Sequence, residues 1–208
     1  MAPVPPSAVG EARVSGLVLA AGAGRRLGRP KADVILHGVR LIDRAVTLLR
    51  DGGCQDVVAV VRSADVTAAG ARSVVNPDPD AGMGRSLRIG LEAVTDPACV
   101  IILVDQIGIK PSDIGLVISA HRRNGSQVVL ARRQGERSHP VLVPRRLFSE
   151  FAAAAVGDQG ARAFIDAQPG SVEFLDLPDQ ITDIDTPQDL IEATRTGGWP
   201  DPGPRGRG

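Results

Sequence analysis

The chain has 208 residues, enough for one domain with a sizeable core and short for two. Its 24 basic and 24 acidic side chains cancel, which removes any general electrostatic reason for nucleic acid or an anionic membrane as partner. Aromatic residues make up only 2%, which argues against a base-stacking platform and leaves small molecules as the expected partners.

In chain order, residues 1–12 are a Pro-containing segment expected to be disordered, and MAPVPPSAVG lacks the apolar centre of a secretion signal. GLVLA at 16–20 reads as a fully buried strand. The segment 41–53 carries Leu41, Ile42, Ala45, Val46, Leu48 and Leu49 at helical spacing, with two glycines closing it. DVVAVV at 56–61 is a second buried strand, and RSVVN at 72–76 a short third. A helix over 83–94, a strand over 99–104 and a helix over 111–123 with Pro111 in its first turn come next. QVVLA at 127–131 and HPVLV at 139–143 read as strands, and 145–155 as a helix. GGWPDPGPRGRG at 197–208 is a second tail, leaving 13–196 as the expected single domain. Strands alternating with helices predict a three-layer α/β/α sandwich around a Rossmann-like, mostly parallel sheet. Ligands of such sheets sit beyond the carboxyl ends of the strands. Cys54 and Cys99 have no ligand-like spacing, no run reaches membrane-span length, and the expectation is a cytoplasmic protein with reduced thiols.

The stretch GLVLAAGAGRRLGRPK at 16–31 puts glycines and fixed positive charge directly after a strand, the composition of a phosphate loop. A Walker A loop needs Gly-Lys-Ser/Thr, but Lys31 follows Pro30 and precedes Ala32. A dinucleotide fingerprint needs G-x-G-x-x-G, but the glycines at 22, 24 and 28 are one residue too wide. The second strand also runs into Arg62 and Ser63, with Asp65 a late substitute for the ribose acid.

Read as L-A-A-G-x-G-x-R-x-G-x-P-K, the loop resembles that of nucleotidyltransferases related to the molybdenum cofactor cytidylyl- and guanylyltransferases. Three later segments resemble that family in the same order: NPDPDAGMGRSL at 76–87, VIILVDQ at 100–106, and TDIDTPQDL at 182–190. RSHPVLV at 137–143 and GDQGAR at 157–162 are similar to its acceptor-side elements. The resemblance covers about 15–195 and implies the nucleotide-diphospho-sugar transferase type of fold. It implies nucleotide contacts from Leu19, Ala20, Ala21, Gly22, Gly24, Gly82 and Ser86, with Arg26 and Lys31 neutralising charge on the phosphates as pyrophosphate leaves. Asp105 and Asp185, assisted by Asp183, are implied ligands of Mg²⁺ or Mn²⁺, and Arg26, Lys31 and Asp105 the implied catalytic set. His139 and Arg162 fall on the acceptor side.

Plainer readings stand beside these. Asp185, Thr186 and Pro187 also form a helix start with a capping carboxylate, Ser86 sits in a helix's first turn, and His139 before Pro140 suits a turn. His37 and His121 have no motif around them and are expected to be exposed.

Two departures concern the acceptor. The family's glycine before the metal aspartate is Val104 and its following proline is Ile107, while the glycine before His-Pro is Ser138. The V-D-Q form resembles an actinobacterial branch that includes a nicotine blue oxidoreductase, so a nicotinamide-dependent redox function stays open. So does a non-catalytic carrier of the cofactor. Ala20-Ala21-Gly22 matches relatives that use CTP where guanosine-specific ones have a glycine at the second position. The resemblance thus implies transfer of CMP from CTP to a phosphorylated acceptor, molybdopterin, with a molybdoenzyme or its maturation factor as a possible protein partner.

Overall fold

In a computed structural model, the structure describes residues 13–125, 127–155, 157 and 162–196. Both tails and most of the GDQGAR segment lie outside these residues. Among the described residues, eleven strands and six α-helices follow in order: β1 Val14–Leu19, β2 Ile35–Leu36, β3 Val39–Arg40, α1 Leu41–Asp51, β4 Asp56–Val61, β5 Arg72–Val75, α2 Met83–Ala93, β6 Ala98–Leu103, β7 Gln106–Ile107, α3 Pro111–Asn124, β8 Val128–Arg133, β9 Glu136–Pro144, α4 Phe148–Ala154, α5 Arg162–Ala167, β10 Val172–Asp176, β11 Thr182–Asp183 and α6 Pro187–Thr196.

Seven strands form one sheet in the order β10-β8-β9-β6-β1-β4-β5. Every pairing in it is parallel except those of β9, which runs antiparallel to β6 and β8. The reversal comes from a two-residue hairpin between β8 and β9. Gln134 and Gly135 both have positive φ, 51° and 83°, the pattern of a type I′ turn whose twist matches that of the strands it joins.

Strand alternation sorts the core into two layers. In β4, Val57, Ala59 and Val61 face α1 and α3, while Val58 and Val60 face the side of α2, α4 and α5. With both faces covered, the strands read as continuous apolar runs rather than alternating ones. The expected α/β class and mostly parallel sheet are what the structure shows.

Some expectations change. The segment 145–155 opens with a 3-10 turn at Arg145–Leu147 before α4 begins. His121 is buried, not exposed: α3 turns it inward, and burial, helped by Arg122, pushes its imidazole pKa down. His37 is exposed, as expected. β10 is a half-exposed edge strand that mixes Glu173 and Asp176 with Phe174, a composition that hides it from an apolar-run reading. Cys54 and Cys99 are free and buried. Burial, with Asp96 nearby, pushes the Cys54 thiol up to about 12, which makes it inert.

Among the described residues, no helix is long and apolar enough to cross a membrane.

Candidate functional site

The site lies where the carboxyl ends of β1 and β6 meet the start of α2. After β1 the chain makes a tight loop. Gly24 has φ 59°, and a Cβ there would lie 2.0 Å from the Arg29 carbonyl oxygen, so the loop's own backbone demands glycine. At Gly22 a Cβ would meet only the Lys31 stem, at an ordinary 3.6 Å. The two glycines therefore differ in kind: Gly24 shapes the loop, and Gly22 leaves space beside Lys31. The Lys31 N–H donates to the Gly22 carbonyl at 3.2 Å and closes the turn.

Leu19, Ala21, Gly22, Lys31, Gly82, Ser86 and Asp105 come together on the wall of a cavity of about 320 Å³. Three other residues of the loop are elsewhere. Ala20 is buried in the core beneath it, with its N–H donating to the Val60 carbonyl. Gly24 is buried as the loop's pivot, and Arg26 is exposed and off the cavity wall. Beside Lys31, the basic residue on that wall is Arg25, paired with Asp80 at 3.3 Å, whereas the loop resemblance points to its neighbour Arg26.

Two further residues escaped the sequence reading. Asn76 is buried at the end of β5, and its side-chain amide donates to the Ser86 hydroxyl at 2.9 Å. Its signal was available, because it opens the Asn76-Pro77 segment that resembles the family. Arg62, after β4, donates to the Ala21 carbonyl at 3.1 Å and braces the loop from the side.

Gly82, at the N-terminus of α2, has φ 98°. A Cβ there would lie 2.8 Å from the carbonyl carbon of Gly157, and the Gly84 N–H donates to the Gly157 carbonyl at 2.9 Å. The α2 and 157 segments thus close on each other through bare backbone.

Asp105 and Asp185 converge on one point. The Lys31 ammonium donates to both carboxylates, to Asp185 at 2.5 Å. Burial works to lower the Lys31 pKa, but hydrogen bonds from the ammonium to Asp105 and Asp185, and their charges, outweigh it and hold the group above its ordinary value. The convergence depends on a small antiparallel pairing. β11 lies on β7, and the Ile184 N–H donates to the Asp105 carbonyl at 3.0 Å.

The helix cap expected of Asp185 belongs to other residues. The Thr186 hydroxyl accepts from the Asp189 N–H at 3.2 Å, and the Asp189 carboxylate accepts from the Thr186 N–H at 2.8 Å, a reciprocal capping box. The Asp185 carboxylate is left for Lys31.

Asp183 lies on the wall of a second, larger cavity of about 550 Å³, as do His139 and Arg162. Asp183 is exposed, and partial desolvation on the cavity wall, with the adjacent Asp105 carboxylate, pushes its pKa up. His139 is not in a turn; it lies inside β9, joined to Pro140 by a cis peptide bond, and burial pushes its imidazole down to about 4. The floor of this cavity is apolar, with Leu87, Ile101, Leu130 and Phe151, and its rim carries Arg162. Both cavities share Leu19, Met83 and Leu103, so they are adjoining halves of one cleft.

The carboxylate geometry suits a hard divalent cation. Two carboxylates from separate segments already surround a single positive charge. Among the described residues, no three His, Cys, Asp or Glu side chains form a ready-made cage. A two-carboxylate site of this kind is what an ion completed by water and substrate phosphates requires.

Comparison with known proteins gives the family and the fold. The model of the MobA-like NTP transferase domain matches residues 16–172. A nicotine blue oxidoreductase of Paenarthrobacter nicotinovorans is 36% identical over 193 residues, covering 85% of this chain and 94% of that protein. A molybdenum cofactor guanylyltransferase of Rhizobium leguminosarum bv. trifolii is 31% identical over 207 residues, covering 90% and 94%. A Mycobacterium tuberculosis H37Rv protein crystallised in complex with manganese shares the fold. Its TM-score is 0.73 at 22% identity, over 88% of this chain and 99% of that one. The chain belongs to the family of proteins with a MobA-like NTP transferase domain.

Proposed function

We propose that the protein is a divalent-metal-dependent nucleotidyltransferase that moves CMP from CTP to a phosphate on a pterin-class acceptor and releases pyrophosphate. The observation that carries this reading is the pair of adjoining cavities, with Lys31 and Asp105 on the wall of the smaller one, Asp185 paired to that same Lys31, and Asp183 on the wall of the larger.

The smaller cavity takes the nucleotide. Gly22 leaves room for the triphosphate beside Lys31, and Lys31 and Arg25 neutralise its charge, with Arg26 on the same turn. The Ala21 methyl narrows the space for the base, which supports a pyrimidine. Asp105 and Asp185 hold Mg²⁺ or Mn²⁺, and Asp183 assists. When bound, the ion supplies charge neutralisation on the phosphates. The larger cavity takes the heterocycle on its apolar floor, with His139 neutral and Arg162 at the rim toward an acceptor anion.

An acceptor phosphate is already ionised near neutral pH, so no side chain need act as a general base. Positioning and charge neutralisation provide the catalysis. The product would pass to a molybdoenzyme or its maturation factor.

The relative at 36% identity supports a second reading, a redox enzyme using NADPH. Thermal shifts with CTP, GTP and NADPH, each with and without Mn²⁺, separate the two. A ligand at about a hundred times its Kd adds about 2.7 kcal/mol, enough to see. A metal-dependent shift with CTP and release of pyrophosphate on adding a pterin phosphate support transfer. A metal-dependent shift with GTP alone changes the base. A metal-independent shift with NADPH alone replaces transfer with redox chemistry.

A further inference from the structure

Lys31 occupies the ground that a divalent ion would need. Its side chain is 17% exposed, and its ammonium donates to Asp105 and Asp185 together. The same side chain runs along the phosphate loop, because its Cδ would lie 3.6 Å from a Cβ placed on Gly22. Its backbone N–H is fixed to the Gly22 carbonyl, so the backbone need not move for the ammonium to change partners. A four-carbon stem with free rotation can carry a compact point charge between two sets of oxygens.

We propose that Lys31 is a place-holder cation: its ammonium fills the space between Asp105 and Asp185 until a triphosphate draws it away, so that the divalent ion is admitted with the nucleotide. The inference rests on reading this cleft as a metal-dependent nucleotide site.

The charges explain the order of events. Without ligand, one ammonium offsets part of the negative charge of two carboxylates and holds their segments together. An entering divalent ion must displace that ammonium and then meets its repulsion at close range. A triphosphate on the loop side offers the ammonium a competing set of anionic oxygens. Once it has turned, both carboxylates face an unoccupied position beside the phosphates. The resident lysine therefore disfavours the metal in the empty site and favours the phosphates in the filled one.

The test is Mn²⁺ binding, read from the paramagnetic resonance signal of the free ion, with and without a non-hydrolysable α,β-methylene analogue of CTP. Lys31→Met removes the charge and keeps the length. Without nucleotide, it should bind Mn²⁺ about tenfold or more tighter than the native protein. Adding the analogue should raise the native protein's Mn²⁺ affinity far more than the variant's. In metal-free buffer the variant should melt lower, with Mn²⁺ restoring it, because its two carboxylates have lost their counter-ion.

Lys31→Gln should rank between the two proteins, and it serves if the methionine variant does not fold. Arg72→Met removes a cation paired to Asp56 at 3.3 Å at the opposite end of the strands and should leave Mn²⁺ binding unchanged. Equal or weaker Mn²⁺ binding by Lys31→Met, with normal binding when the analogue is present, overturns the place-holder. Failure of the native protein to bind Mn²⁺ even with the analogue overturns the metal-dependent reading itself.

Discussion

The Ile184 N–H donates to the Asp105 carbonyl at 3.0 Å, and this bond lays the segment carrying Asp183 and Asp185 along the end of β6. Asp105 is thereby tied twice to the same segment. Its backbone accepts from Ile184, and its side chain shares Lys31 with Asp185.

Asp105→Asn keeps the volume and the backbone bond but removes the charge. It should slow nucleotide transfer by about 10²–10³-fold, measured as pyrophosphate release, while the folded state survives in a thermal melt. A rate within a few-fold of native would remove Asp105 from the chemistry.

The loop glycines should respond differently to the same substitution. Gly24→Ala forces a Cβ to within 2.0 Å of the Arg29 carbonyl at φ 59° and should cost about 1–3 kcal/mol, a fall of several degrees in Tm. Gly22→Ala meets only an ordinary contact at 3.6 Å and should leave Tm nearly unchanged. Its effect should appear as weaker triphosphate binding, read by calorimetry. Equal melting losses for both would contradict the distinction.

Stability should also depend on pH through two histidines. His139 has a folded pKa of about 4 against an ordinary 6.5, and that of His121 is lowered as well, in both cases chiefly by burial. The unfolded chain therefore binds more protons between these values, and stability rises with pH there. The stabilisation is complete above about 6.5 and is lost as pH falls through 4. His139→Gln should flatten the acid side of a plot of Tm against pH. An unchanged slope would mean that His139 is not buried as a neutral group.

At the wall of the larger cavity, Arg133 forms a buried pair with Asp113 at 2.7 Å and also donates to the Asp179 carbonyl at 2.5 Å. Arg133→Met leaves the buried Asp113 carboxylate with the Lys110 N–H but without its counter-charge, and should cost about 3–5 kcal/mol in a denaturant titration. Arg133→Met with Asp113→Leu should recover much of that loss. The double variant still lacks the hold on the Asp179 carbonyl, four residues before Asp183. Its Mn²⁺ affinity should stay reduced even where its stability returns.

The sequence by itself determined what local spacing controls. The α1 stripe, the buried β4 run and the strand that leads to Asp105 follow from side-chain period and backbone preference, which act over a few residues. Glycine placement marked the loop for the same reason, since a position such as Gly24 admits no Cβ in any fold with this turn. Resemblance supplied the family, but it pointed to Arg26 where the cavity wall carries Arg25, and it did not reveal the Thr186–Asp189 cap.

Tertiary structure alone decided the rest. Lys31 meets an aspartate 74 positions away and another 154 positions away, and those contacts depend on the order of strands in the sheet, which no local pattern encodes. The same holds for His121, whose burial depends on what packs against α3, and for Asp185, which is free to hold a cation because Thr186 and Asp189 satisfy the helix start. Local sequence sets which atoms are present on each element. Only the packing of distant elements decides which of those atoms face one another, because charge and hydrogen bonding act across distances that the chain must first fold to close.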